Sequence, residues 1–329
     1  MAGEKSTTGL DRILVLEVAR VTEVAAIASA RWRGKGQNKA ADKAAVDAMR
    51  KELGRINIRG KVVIGEGEMD EAPMLYIGEE VGTGDGPRVD IAVDPLEGTT
   101  ICAKDMPNAL AVIAISEEGG LLNAPDMYMD KIAVGPGYPE GIIDLDAPVP
   151  EVLAALAKAK GVPVAEITAC LLDRPRHSEL IEAVRKAGAS IRLIPDGDIA
   201  GVIWTTDPTQ TGIDIYLGSG GAPEGVLAAA ALRCIGGQMQ GRLKPSNPEE
   251  TQRAFTMGIT DIKKIFSMHE MASGDVIFSA TGVTSGSLLE GVRFRGDFAE
   301  TETVVMRSKT GTVRRIKTTF RDIGTKGSL

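Results

Sequence analysis

A layered α/β fold is predicted by three features of the sequence. Residues 10–33 and 40–53 carry apolar side chains at helical spacing, residues 61–134 contain short β-type runs between Gly-, Asp- and Pro-rich turns, and helix and strand patterns alternate after Pro148. In the first helix Leu14, Val18, Val21, Val24, Ala25 and Ala28 share one face, and Gly34-Lys35-Gly36 stops it. Strands are predicted at 61–64, 89–93, 110–116 and 131–134. Beyond Pro148, residues 151–159, 178–187 and 223–233 read as helices, and 191–194 and 213–217 as buried strands. Residues 276–320 return to strand, with 303–307 and 313–318 as a hairpin around Lys309-Thr310-Gly311. In this reading residues 1–10 are a flexible N-terminus, 11–148 a helix-plus-sheet half and 149–329 an α/β half. No long linker separates the halves, so one continuous fold is expected.

Composition narrows the function. Acidic residues number 45 against 38 basic, a net charge of −7, which argues against a general nucleic-acid binder because phosphate neutralisation needs clustered Lys and Arg. Only 12 of the 329 residues are aromatic (Trp 2, Tyr 4, Phe 6), too few for a base-stacking platform. The two histidines, His177 and His269, exclude a His-rich zinc site, so any metal would be held by oxygen. Three widely spaced cysteines, Cys102, Cys170 and Cys234, read as buried thiols of a reducing compartment rather than as a nucleophile. The N-terminal stretch has no apolar signal core and no apolar run reaches bilayer length, so a cytoplasmic protein without membrane contact is expected.

Glycine, at 39 residues, is well above the usual roughly 7 %, and it clusters beside acids. Four acidic clusters follow predicted strands: Gly65-Glu66-Gly67-Glu68-Met69-Asp70-Glu71, Asp94-Pro95-Leu96-Glu97-Gly98-Thr99-Thr100, Asp196-Gly197-Asp198, and Gly220-Gly221-Ala222-Pro223-Glu224. Each alone could be a solvated turn. Strand ends in layered α/β folds are where ligands collect, however, and together the four could converge on one crevice. Carboxylates there suit hard divalent cations, Mg²⁺ or Mn²⁺, and paired ions can activate water against a phosphoryl group. A helix starting near Thr99 would favour the anion.

The segment Asp94 to Thr100 resembles the D-P-[LI]-[DE]-G-[ST] signature of the lithium-sensitive, metal-dependent sugar-phosphatase superfamily, which includes inositol monophosphatases and fructose-1,6-bisphosphatases. Within it the chain is most similar to the class II bacterial fructose-1,6-bisphosphatases. The supporting stretches are VVIGEGEMDEAPMLYIGEEVGTG at 62–84, NALAV at 108–112, LNAPDMYM at 122–129, RPRH at 174–177, IPDGD at 194–198, GGAPEG at 220–225 and VIFSATG at 276–282. The resemblance implies the sugar-phosphatase fold, an αβαβα sandwich.

It also implies roles. Asp42, Glu66, Asp94, Glu97 and Glu224 match metal-ligand positions. Glu97, Gly98 and Thr99, with Tyr128, the segment Arg174, Pro175 and Arg176, the segment Asp196, Gly197 and Asp198, and Gly221, match positions that contact the sugar bisphosphate. Asp70 resembles an acid implicated in activity, and Thr99 is placed to orient water. Arg174 and Arg176 can clamp the phosphate that is not cleaved; His177 reads as a packing or capping residue. Asp42, mid-helix among alanines, reads by periodicity as a solvated face. Gln37-Asn38-Lys39 departs from the family pattern, displacing its basic residue to Lys39. The implied activity is hydrolysis of the 1-phosphate of D-fructose 1,6-bisphosphate, a gluconeogenic step, by a cytoplasmic homo-oligomer, a dimer or tetramer, using two or more divalent ions. Sedoheptulose 1,7-bisphosphate or another sugar or inositol phosphate is the alternative substrate, and a turnover-free sugar-phosphate sensor the non-enzyme alternative.

Overall fold

A computed structural model describes residues 10–67 and 74–321. In chain order they form α1 (Leu14–Ala30), α2 (Asn38–Leu53), β1 (Arg59–Ile64), β2 (Glu80–Val81), β3 (Arg88–Glu97), α3 (Thr99–Ala103), β4 (Leu110–Glu117), β5 (Tyr128–Val134) and α4 (Val149–Lys160). Next come β6 (Thr168–Leu172), α5 (Ser178–Lys186), β7 (Ser190–Ile194), α6 (Asp198–Trp204), α7 (Pro208–Thr211), β8 (Ile215–Gly221) and α8 (Ala222–Ile235). The chain ends with β9 (Gln238–Lys244), α9 (Pro248–Thr256), β10 (Phe266–Ser267), α10 (Met268–Met271), β11 (Val276–Gly282), β12 (Arg293–Arg295), β13 (Phe298–Arg307) and β14 (Thr312–Phe320).

The strands form an eight-stranded sheet, ordered β12-β13-β11-β4-β3-β1-β2 with β14 paired to β13, and a six-stranded sheet, ordered β10-β9-β5-β8-β6-β7. Each sheet draws strands from both sides of residue 148. Three apolar cores fix the layers. Helices α1 and α2 pack on the outer face of the larger sheet, through Val18, Val21, Ala25, Met49 and Leu53 against Ile91, Ile113 and Val305. Helices α6 and α8 fill the space between the sheets. Helices α4 and α5 cover the far face of the smaller sheet, with Leu153, Leu156 and Val184 on Ile132, Leu171 and Ile215. The result is the predicted layered α/β architecture, helix-sheet-helix-sheet-helix. Among the described residues no helix is long and apolar enough to cross a membrane.

Two differences from the sequence reading bear on the site. Strand β8 does not end at Leu217 but continues through Gly218–Gly221, because these glycines mark close approach rather than a turn: a Cβ on Gly218 would sit 3.2 Å from the His177 ring, and one on Gly220 would collide with the Asp198 carboxylate. Strand β3 likewise runs past Val93 to Glu97.

Candidate active site

Strand β3 presents the acidic segment. Val89, Ile91, Ala92 and Val93 are buried, which holds the strand in mid-sheet between β4 and β1. Its ladder with β4 is regular up to Asp94↔Val112 and resumes at Glu97↔Leu110, so β3 carries one residue more than its partner. That bulge accommodates Pro95, which has no N–H to give. The Leu96 N–H donates to Asp94 Oδ1 at 3.2 Å. Gly98, at φ 84, then turns the chain into α3, whose first residue is Thr99.

Four further segments bring acids to the same place. Glu66 follows β1, the parallel neighbour of β3. The preceding Gly65 is packed so tightly that a Cβ would collide with the Leu75 carbonyl. Asp42 comes from α2, which lies against β3. Asp196 and Asp198 bracket the left-handed Gly197, φ 88, at the start of α6. Glu224 is in the first turn of α8, and a Cβ on Gly221 would strike its carboxylate. Together these segments line a cavity of about 320 Å³, which Asp42, Glu66, Asp94, Glu97, Gly98, Thr99, Asp126, Asp196, Asp198 and Glu224 share.

So many carboxylates in one cavity resist ionisation. Burial pushes Glu66 up to about 8, with the charges of Asp42 and Glu224 adding to it. Burial and then Asp198 push Glu224 up to about 7. Asp94 and Glu97 are raised well above the carboxylate range, first by burial and then by their acidic neighbours. Burial also raises Asp42. Glu97 Oε1 accepts the Ile199 N–H at 2.9 Å, but its Oε2 and the Oε2 of Glu224 are buried with no partner. Orphaned, crowded, oxygen-only donors are what a hard divalent cation requires, so these residues fit one. Among the described residues no three such side chains close tightly enough to grip an ion as they stand.

Tyr128, Arg174, Arg176 and Gly221 do not line this cavity but form a basic and aromatic group beside it. Tyr128 pairs with Gly221 in the β5–β8 ladder, and the Arg176 guanidinium lies 4.7 Å from the Tyr128 ring centroid. Arg176 Nε also donates to the Ser219 carbonyl at 2.9 Å. Burial raises the Asp196 carboxyl, against the Gly197 N–H and then Arg174 and Arg176, either side of Pro175, which draw it down.

Known proteins match this chain along its length. The family model described as bacterial fructose-1,6-bisphosphatase, glpX-encoded, matches residues 12–320. The chain belongs to this family. It is 49 % identical over 320 residues, covering 93 % of this chain and 94 % of the relative, to fructose-1,6-bisphosphatase 1 class 2 of Escherichia coli strain K12. The class 2 fructose-1,6-bisphosphatases of Escherichia coli O6:H1 and Shigella flexneri match with the same identity, 49 %, over the same 320 residues.

Other residues singled out in the sequence find plainer places in this family member. His177 Nε2 accepts the Ser219 N–H at 2.8 Å, so Nδ1 carries the proton and donates it to the Leu172 carbonyl, also at 2.8 Å. With both nitrogens engaged, His177 braces β8 and has none free to shuttle protons. Lys39 is exposed and does not line the cavity; Asn38 instead donates to Thr100 Oγ1 at 3.1 Å. The three cysteines are buried and free, and burial pushes Cys102 up to about 11 and Cys170 and Cys234 up to about 12, which makes them poor nucleophiles. Asp70 lies outside the described residues. Sequence reasoning passed over Asp126, which lines the cavity, and Lys131, which pairs with Asp198. The signal for Lys131 was a lone cation heading the apolar run Ile132-Ala133-Val134.

Proposed function

We propose that the chain hydrolyses the 1-phosphate of D-fructose 1,6-bisphosphate to fructose 6-phosphate and phosphate, the gluconeogenic step its family performs. It is a metal-dependent phosphoric monoester hydrolase, with Asp42, Glu66, Asp94, Glu97 and Glu224 as the residues that would hold Mg²⁺ or Mn²⁺. The observation that carries the reading is the convergence of these acids on one cavity with two buried carboxylate oxygens unpartnered. Bound divalent ions would supply charge neutralisation on the phosphoryl group and a more acidic attacking water.

The protein supplies position and charge. Glu97 is oriented by the Ile199 amide, which takes Oε1 and leaves Oε2 towards the other acids. Thr99, lining the cavity at the start of α3, offers a hydroxyl to orient water beside the scissile phosphate. Asp196 and Asp198 accept from sugar hydroxyls, and Arg174 and Arg176 receive the phosphate that stays. Arg176→Ala is therefore expected to raise KM about ten-fold or more with kcat within a few-fold, since it binds a bystander group; steady-state kinetics that show a pure kcat loss would remove it from this role.

The reading is tested by orthophosphate release with Mg²⁺, with Mn²⁺ and after chelation, on fructose 1,6-bisphosphate, sedoheptulose 1,7-bisphosphate and an inositol monophosphate. Turnover of the first that stops on chelation is the expected result. A folded protein that releases nothing from any of them with either ion contradicts it.

A further inference from the structure

We propose that Lys131 is a positioning residue for sugar recognition, acting by fixing the carboxylate of Asp198; this rests on the phosphatase reading above. Lys131 is 2 % exposed in the middle of β5, where Leu, Ile or Met would ordinarily stand. Its ammonium donates to Asp198 Oδ2 and, at 2.8 Å, to the carbonyl of Gly221.

Glycines make room for it on every side. In register, Lys131 faces Gly218 of β8 and Gly241 of β9. A Cβ on Gly225 of α8 would stand 3.3 Å from Lys131 Cδ, and one on Gly220 would stand 3.0 Å from Nζ. The glycine-rich segment Gly220-Gly221-Ala222-Pro223-Glu224-Gly225 thus shapes a slot for this side chain as well as presenting Glu224.

A buried ion pair is a poor way to gain stability, because removing both charges from water roughly cancels their attraction; an apolar pair of the same volume would serve as well. What the pair gives is geometry. Asp198 lines the substrate cavity and is 5 % exposed. Its backbone is held by the left-handed Gly197 before it and by the Ile199 N–H, which is bonded to Glu97, after it. With Oδ2 taken by Lys131, Oδ1 is the oxygen left to accept a hydroxyl from the sugar. Lys131 therefore decides which way the acceptor points, while the Gly221 carbonyl decides where the ammonium sits.

The experiment is a cycle of Lys131→Met, Asp198→Asn and the double variant, read by kcat and KM on fructose 1,6-bisphosphate and by Tm. Lys131→Met is expected to raise KM about ten-fold or more, the loss of one charge-assisted contact, with kcat within a few-fold. It also lowers Tm by leaving Asp198 buried and unpaired. In the Asp198→Asn background the same change is expected to leave KM within about two-fold and to recover Tm, since a residue that acts through Asp198 has nothing left to position. A Tm loss with wild-type KM means a purely structural tie and overturns the proposal. So does a full further rise in KM in the Asp198→Asn background, which stays readable if the single Lys131 variant fails to fold. Should wild-type protein release no phosphate, the functional reading fails by itself, and additive Tm changes around the cycle would still refute the coupling.

Discussion

Glu97→Gln is expected to lower kcat on fructose 1,6-bisphosphate by about 10³-fold while leaving the fold intact, the largest single-site effect predicted for this chain. Glu97 holds its place by accepting the Ile199 N–H on Oε1, and a glutamine carbonyl can take over that bond. The amide NH₂ then lands where the unpartnered Oε2 now sits, among Asp94, Asp198 and Glu224, and presents hydrogens where an ion requires a lone pair. The contacts proposed for Arg174 and Arg176 with the phosphate that stays are untouched, so KM should change far less than kcat. The same change removes one of several crowded like charges, so Tm measured in chelator should not fall and is expected to rise. Phosphate-release kinetics beside a far-ultraviolet spectrum check both halves; wild-type kcat would take Glu97 out of the metal site.

Stability without metal should fall as pH rises, the reverse of what an ordinary set of surface carboxylates produces. Glu66 is pushed up to about 8 and Glu224 to about 7, both above their usual 4.5. A carboxyl whose folded pKa is raised favours the folded state when protonated, so its contribution is complete below about 4.5 and is lost as pH climbs through 7 to 8. In chelator, Tm is therefore expected to drop between pH 5 and pH 8. Added Mg²⁺ or Mn²⁺ competes with those protons, so it should raise Tm more at pH 8 than at pH 6 and release protons on binding near neutrality. Thermal scans across this range decide the matter: an unchanged Tm from pH 5 to 8, or an equal metal response at both ends, would mean that the acids are not held as described.

How far the sequence could be read depended on whether a signal was local. The β3 segment was legible because a buried apolar run, a proline and a glycine at fixed spacing each have one ready physical explanation. The hairpin of β13 and β14 was legible in the same way, with Gly311 at φ 56 in its turn. Strand β6 (Thr168–Leu172) went unread, and so did β9 (Gln238–Lys244), whose Gly241 weakens an alternating pattern that only pairing with β5 and β10 completes. Helix α6 was hidden behind Asp196-Gly197-Asp198, which reads as a turn until Glu97 and Lys131 are seen to hold it. Asp42 carries no periodic signal, since a mid-helix acid looks solvated unless the facing strand is known to bear acids of its own. Lys131 and Asp198 lie 67 residues apart, and nothing near either names the other.

Helix α8 touches both sheets, and its alanines 228–231 are almost wholly inaccessible. Their methyl groups act as a shim that gauges the gap between the two sheets, while the first turn of the same rod delivers Glu224 to the cavity. The bore of the acid-lined cavity is thereby calibrated by some of the smallest side chains in the protein. A bulkier residue anywhere along that shim would pry the jaws apart, and the damage would surface one to two turns away, at Glu224, as slackened ion affinity before it appeared as melting.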